Sequence, residues 1–438
     1  MFAATKSFFA KAPPSGGGPT PAWSIDWSTG TPSGYTLTRA SSGTYVDSSG
    51  YVASASTDVA RLTHNSSGTR LGLLVEQSRT NNLQRSEAFD NAYWTKAGLL
   101  AFGSGSTADA ATAPDNATTA DLITESSGGN NHNVLRTHGT LNAGTTWTWS
   151  CFIKKPSSNG RDFATLTLNG AGGHNLVRSF DLTDGTSTQN SQAGANFTNG
   201  TGGSEDYGNG WYRCWIQVTI GASNVTTVSA IACISNSETP TLFAGAYPNY
   251  SGDGVSGILL WGAQLEEGEK PTAYIPTTTA TVTRSADLAH VLDSSITSWG
   301  DPGALVIHFY PPGQAGTLLS TDDASAEQLG LQASSTTAAR AFWSNGQTST
   351  GTIAAGVNKA VHYWSGTASS FCINGGTVQT GTNNVTTFGN IDFVTFGAEA
   401  TDSSGSPGTF SQWPNLVIRK IEFYAGTLSS SDLQTITT

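Results

Sequence analysis

The chain is short of charge. Asp, Glu, Lys and Arg make up 12% of its 438 residues, about half of what a globular protein carries. That scarcity does not signal disorder, which needs low hydrophobicity together with high net charge; here 37% of residues are hydrophobic and 10% aromatic. Basic runs are missing as well. None exceeds two residues (Lys154-Lys155) and the net charge is −11, which excludes attachment through a nucleic-acid phosphate backbone. No apolar run is long enough to span a bilayer, and SFFA near the start is too short for the core of a signal peptide. Cysteine is sparse and no CxxC pair occurs among Cys151, Cys214, Cys233 and Cys372, so neither a zinc ribbon nor a redox motif is present. Three of the four lie in strand-like runs and read as free buried thiols suited to a reducing cytoplasm, a Cys151–Cys214 disulfide being the alternative.

What the chain has in plenty is turn chemistry. It contains 51 glycines, and TGTPSGY, SSGTY, DSSGY and NSSGT punctuate short apolar runs. The runs alternate. In WTWSCFI, Trp147, Trp149, Cys151 and Ile153 share one face; in WYRCWIQV, Tyr212, Cys214, Ile216 and Val218 do the same. The expected fold class is all-β: two antiparallel β-sandwich domains of the jelly-roll, concanavalin-like kind, preceded by an N-terminal anchor segment. Composition shifts place the boundaries. Residues 1–21 form an apolar peptide and Pro/Gly linker, 22–85 an N-terminal β segment and junction, 86–283 the first sandwich and 284–438 the second. The Thr-rich stretch 275–287 reads as a connector or bridging strand. Ser86 could cap one helical turn placing Phe89 and Tyr93 on one face, and Ser429 with Asp432 reads as a capping box for a short terminal helix.

Three ordered motifs carry a resemblance. RLGLLVEQSRTNNLQRSEAFDNAYW (70–94), GNGWYRCWIQVTI (208–220) and GILLWGAQLEEGEKPTAYIPTTTATVTRSAD (257–287) are similar to the fibre or spike module of tailed phages and prophages, and LTRASSGTYVDSSGYV (37–52) resembles the segment in front of it. Asn82, where a second leucine is common, and Cys151 and Cys214, in place of other apolar residues, depart from that pattern. Residues 288–438 resemble a laminin-G or concanavalin-like jelly roll through IRKIEFYAGTLSSSDLQTI (418–436). The resemblance implies a non-enzymatic structural protein of the virion surface, assembled in the host cytoplasm as a homo-oligomer, a trimer. The N-terminal segment would attach it to other virion proteins, and its partner outside the particle would be host-surface polysaccharide. Pure capsid or tail decoration is the alternative, and a capsule depolymerase a further one.

Candidate site residues follow from chemistry. Sugars stack their C–H faces on aromatics while their hydroxyls need amide and acid partners, which singles out Tyr247, Tyr250 and Asp253 in AGAYPNYSGDG, with Trp343, Trp364 and Trp413 in the second sandwich. Asp322 and Asp323 in STDDASAEQ offer the hard oxygens that calcium wants; a solvated acidic loop is the plainer reading, and no other cofactor is expected. Polysaccharide cleavage would need two facing acids about 5–9 Å apart. Glu205-Asp206 and Glu266-Glu267 are adjacent in sequence, where strand neighbours point to opposite faces, and the second pair is expected to face water. GDGVSG (252–257) matches a phosphate-binding glycine pattern but runs into a strand rather than a helix, so it reads as a turn. Finally, EQSRTNNLQRSEAFDNAYWTK (76–96) looks like catalytic furniture without a histidine or a facing acid. Glu76, Arg79, Asn81 and Trp94 are expected to form a structural junction, with Phe89, Tyr93 and Trp94 plugged into the first sandwich.

Overall fold

A computed structural model describes residues 18–438 apart from 130, 293–294, 297–298, 324–328, 344–345, 384–390, 398, 401–409 and 412–413. The side chains of 322–323, 391–393, 399–400 and 410–411 also lie outside the described set. The anchor expected in residues 1–21 therefore falls almost wholly outside it.

Period-2 alternation becomes two stacked-sheet cores. In the first sandwich, one sheet runs in the order Phe197–Asp206, Trp211–Ile220, Thr146–Lys154, Gly257–Glu267, Thr118–Thr124, Thr107–Thr112. Its partner runs Ser187–Ala193, His174–Asp181, Phe163–Gly170, Val225–Ser235, Asn133–Leu141, Thr95–Ala97. Trp147, Trp149, Cys151 and Ile153 all enter the shared core with Cys214, Ile216 and Val218, as the alternation requires, and Tyr212 packs against it. Cys151 and Cys214 are direct cross-strand partners, yet all four cysteines are free and buried. Burial pushes the Cys233 thiol up to about 12. The opposite face of the first sheet is also covered, by a layer containing Phe152, Trp211, Trp261 and Tyr274.

The second sandwich is not confined to the C-terminal part of the chain. One of its sheets has the order Gln379–Thr382, Ala368–Ile373, Asn358–Ser365, Gly303–Phe309, Leu416–Ala425, Arg70–Val75, Leu62–His64, with Trp23–Asp26 also paired to Leu416–Ala425. The other begins with Thr36–Thr38 on Leu288–Leu292 and continues through Ile391–Phe396, Gly316–Asp323, Leu329–Ser335 and Ala338–Trp343. The segment 22–85, expected to stand apart, thus supplies strands to both sheets of this sandwich. Ile25, Trp27, Leu73 and Val75 are at most 3% exposed in its core. At roughly 1.5–3 kcal/mol per buried apolar side chain, this contribution is comparable with the ~5–15 kcal/mol net stability of a typical protein. Where Arg70–Val75 passes Leu416–Ala425, Gly72 has φ +149° and an added Cβ would lie 2.1 Å from the Ile418 carbonyl oxygen. Only glycine lets the two strands approach there.

The helix Ser430–Thr437 has the expected capping box, Ser429 and Asp432 bonding reciprocally. Its Leu433 and Ile436 cover Ala304, Val306 and Tyr424 on the outer face of the first of these two sheets. The helical turn expected after Ser86 does not form. Ser86 is fully buried and its hydroxyl accepts from the Thr277 amide at 2.9 Å and pairs with the Tyr274 hydroxyl at 2.6 Å, so it is not free to cap the amides that follow it. The Thr-rich connector does bridge: Val282–Arg284 pairs with Arg79–Asn81.

Candidate functional site

Where the two sandwiches meet, the sequence 76–96 and the connector 275–287 run side by side. Three buried guanidiniums, Arg39, Arg61 and Arg284, enclose two buried carboxylates, Glu76 and Asp287. Asp287 accepts from Arg39 Nη1 at 2.9 Å, from Arg61 Nη2 and from the Glu76 amide at 2.9 Å. Glu76 accepts from Arg61 Nη1 at 2.7 Å and from the Ala273 amide at 2.8 Å, with Arg284 3.4 Å away. Burial raises the Glu76 carboxyl, but Arg284, Arg61 and the Ala273 amide outweigh it and hold it at about 2. Spare guanidinium hydrogens go to backbone carbonyls, Arg39 to Ser56 and Arg284 to Gln77 at 2.7 Å each. Both carboxylates are fully engaged and the terminal guanidinium nitrogens are paired, while Arg61 Nε and Arg284 Nε have no hydrogen-bond partner among the described residues; pairing of this extent is what lets the charges stay buried.

The other junction residues fall around it. Asn81 is fully buried, donates to the Ala263 and Ile275 carbonyls at 2.9 Å each and accepts from the Leu83 and Leu265 amides. Arg79 donates to Gln314 Oε1 at 3.1 Å and lies 3.9 Å from Glu266, so it reaches the second sandwich from the rim rather than the centre. Phe89 and Trp94 sit in the first core with Tyr93 against it, and Trp94 Nε1 donates to the Arg85 carbonyl at 3.0 Å. Glu266, expected to face water, is fully buried. The return segment after strand Gly257–Glu267 folds over it, and it accepts from Gln264 Nε2 at 2.7 Å and from the Thr272 amide and hydroxyl at 2.9 and 2.6 Å.

Beside this network lies a cleft of about 400 Å³ whose walls come from all three parts of the chain: Tyr45, His64 and Asn65 from the N-terminal segment, Glu205, Tyr207 and Lys270 from the first sandwich, and Asn415 from the second. Its size falls in the range of small-molecule sites. Asp206 also lines it, so the two neighbouring acids expected on opposite faces both border one space at the strand's end. Glu205 is exposed to the cleft but enclosed by protein; this burial raises its carboxyl, and the Arg213 and Lys270 charges oppose the shift. Tyr207 is pushed up to about 12 by burial against the pull of Arg213, and its ring meets Phe152 edge-on at 4.8 Å. Arg213 is itself locked, donating to the Thr272 carbonyl at 2.6 Å and Ser150 Oγ at 3.3 Å. Rigid aromatic, amide, acid and ammonium groups thus converge on one space.

The aromatic candidates do not converge. Trp364 is fully buried with Nε1 donating to the Gly300 carbonyl, and Trp343 is 7% exposed in the same core. Both were expected as sugar platforms, but their ring faces are covered because each lies on an inward position of its strand. Trp413 lies outside the described residues. Tyr250, Asp253 and Tyr247 share a stretch on the first sandwich, but the Tyr250 hydroxyl donates to the buried Glu125 at 2.6 Å and Asp253 pairs with Arg161 at 3.0 Å. Asp253 also accepts from the Val255 and Ser256 amides, closing the turn that GDGVSG was expected to make. Asp322 and Asp323 end the strand Gly316–Asp323, and their side chains lie outside the described residues; no group of three or more metal-ligating side chains occurs among the residues that are described. Of the cleft residues the sequence singles out Glu76, Glu205 and Asp206 but neither aromatic, although the same signal marks both: Tyr45 in TYVD and Tyr207 in DYGNG are aromatics beside turn acids and amides, like the stretch 247–253.

No protein-family model and no curated protein matches the chain. Among solved structures, mouse laminin α1 domains LG4-5 align at 11% identity and TM-score 0.22, over 67% of this chain and 90% of that one. Trypanosoma rangeli sialidase aligns at 12% identity and TM-score 0.24, over 72% of this chain and 60% of that one. The laminin α2 LG1-3 region aligns at 11% and 0.20, over 64% and 63%. At these scores the similarities add nothing to the all-β, antiparallel architecture that the strand pairing itself establishes.

Proposed function

We propose that this protein is a non-enzymatic appendage subunit of a tailed-phage-like particle that binds surface polysaccharide in the cleft between its two sandwiches. The observation that carries the binding reading is the cleft itself: about 400 Å³, walled by both sandwiches, with Tyr45 and Tyr207 beside Asn65, Asn415 and Asp206. Aromatic rings and amide or acid groups on rigid walls suit the apolar faces and hydroxyls of a sugar. The phage-appendage part of the reading rests on the three ordered sequence motifs. A homotrimer attached through the N-terminal peptide, exposed on the virion surface, completes it.

The full chain, titrated calorimetrically against a panel of bacterial surface polysaccharides, is expected to bind at least one, and Tyr45→Ala to weaken that binding at least tenfold without shifting the unfolding midpoint. Binding to none would leave a purely structural decoration role. The cleft is read as a binding site because Glu76, which lines it besides Glu205 and Asp206, is committed to Arg61, Arg284 and the Ala273 amide. Oligosaccharides released by the native chain but not by Glu205→Gln would make it a depolymerase instead.

A further inference from the structure

A second cavity, of about 280 Å³, adjoins the first. Tyr207 lines both, and the hairpin formed by Gly43–Val46 and Val52–Ala55 gives Val52 to one and the preceding residue, Tyr51, to the other. Consecutive Cα atoms are about 3.8 Å apart, so the two cavities share a wall. That wall is fixed: the Val52 amide donates to the Pro114 carbonyl at 2.8 Å, and Trp211, 2% exposed, donates from Nε1 to the Thr112 carbonyl at 3.1 Å.

The charges of the two differ. Glu205 and Asp206 border the first cavity together with the cations Arg213 and Lys270, and Glu76 there is committed to Arg61 and Arg284. The second has a single charged lining residue, Lys154. Its Nζ stands 5.8 Å from the centroid of the Trp211 ring, within reach of that ring's negative face. Lys154 makes no salt bridge among the described residues, although the next residue, Lys155, pairs with Asp162 at 2.5 Å. Asp115, close by in sequence, turns its carboxylate onto the Ala117 amide at 3.0 Å. Asn116 and Asn209 add exposed side-chain amides that make no hydrogen bond among the described residues. A half-buried ammonium held in place over a ring, with two amides beside it, is the chemistry that receives a carboxylate, sulfate or phosphate oxygen.

We infer that the two cavities are adjacent subsites for an acidic polysaccharide, a neutral sugar lying in the first and the anionic group of the next unit beside Lys154 in the second. This rests on the reading of the cleft as a glycan site. The chain as a whole carries a net charge of −11 and repels a polyanion at long range, so preference for one depends on this local cation.

The test compares each polysaccharide of the panel that is acidic through carboxylates alone with its carboxyl-reduced, uncharged form, titrated into the full chain. The native polymer is expected to bind at least tenfold more tightly than the reduced one. Lys154→Met, which keeps an unbranched stem over Trp211, is expected to bring the native polymer down to the affinity of the reduced one, and Lys154→Arg to restore the preference. Equal affinity for native and reduced forms, or a preference that survives Lys154→Met in a protein with an unchanged unfolding midpoint, overturns the acidic subsite while leaving glycan binding in place. Failure of both forms of every polymer to bind overturns glycan binding and the subsite together.

Discussion

The two sandwiches are built from similar strands but close in opposite ways. The first is assembled from one continuous stretch, between Leu83 and Leu265, whose apolar residues fill a single core. The second is sewn from both sides of that stretch: Ile25, Trp27, Leu73 and Val75 share a core with Ile307, Leu331, Val394 and Phe423. In effect the first sandwich is an insertion in the second, and the buried network around Glu76 and Asp287 sits where the chain leaves and returns. Loop-closure entropy grows slowly with length, so such long-range pairing is affordable once the inserted part has folded and brought its ends together.

The largest expected effect tests that asymmetry. Residues 82–278 expressed alone should fold cooperatively, with dispersed amide resonances, whereas residues 284–438 alone should remain unfolded or aggregate for want of the strands Trp23–Asp26, Thr36–Thr38 and Arg70–Val75. A folded, monomeric 284–438 fragment would refute the composite core. Next in size, Gly72→Ala should cost several kcal/mol, because the added Cβ collides with backbone and the φ of +149° is strained for alanine. Asp287→Ala should cost about 3–5 kcal/mol in urea unfolding, since it leaves three buried guanidiniums facing one carboxylate. Asn81→Ala, which removes four hydrogen bonds at the entrance to the first sandwich, offers the matching measurement on that side.

A smaller effect separates the sandwiches by pH. His362, in the second core, is lowered to about 4 by burial, its Nε2 2.6 Å from Ser369 Oγ. Between the ordinary histidine value of 6.5 and 4 the unfolded chain binds the extra proton, so the stability of the second sandwich should fall as pH drops through that window. His362→Gln should flatten the slope; an unchanged slope would show that another group carries it. The Glu76 contribution is lost further down, as pH falls from about 4.5 toward 2. The smallest effect is expected of Arg79→Ala, about 1 kcal/mol or less, because Arg79 is partly exposed at the rim and its nearest carboxylate is 3.9 Å away.

Much of this was legible in the sequence. The alternation in WTWSCFI and WYRCWIQV named the residues that fill the first core, and Ser429 and Asp432 announced the terminal helix. The misplacements share one cause. Trp343 and Trp364 looked like loop platforms because Gly, Asn and Ser flank them, yet the strand register turns both inward; Glu266 looked solvated because the segment that folds over it is not its strand neighbour.

Local pattern therefore determined which residues form strands, which face of each is apolar and where turns fall, because side-chain alternation and turn preferences act over a few residues. Tertiary structure decided which strands pair. That choice rests on contacts hundreds of residues apart, such as Asp287 with Arg39, which no local periodicity encodes. It made one sandwich from the two ends of the chain and the other from its middle, and it left between them a cleft lined by side chains from both.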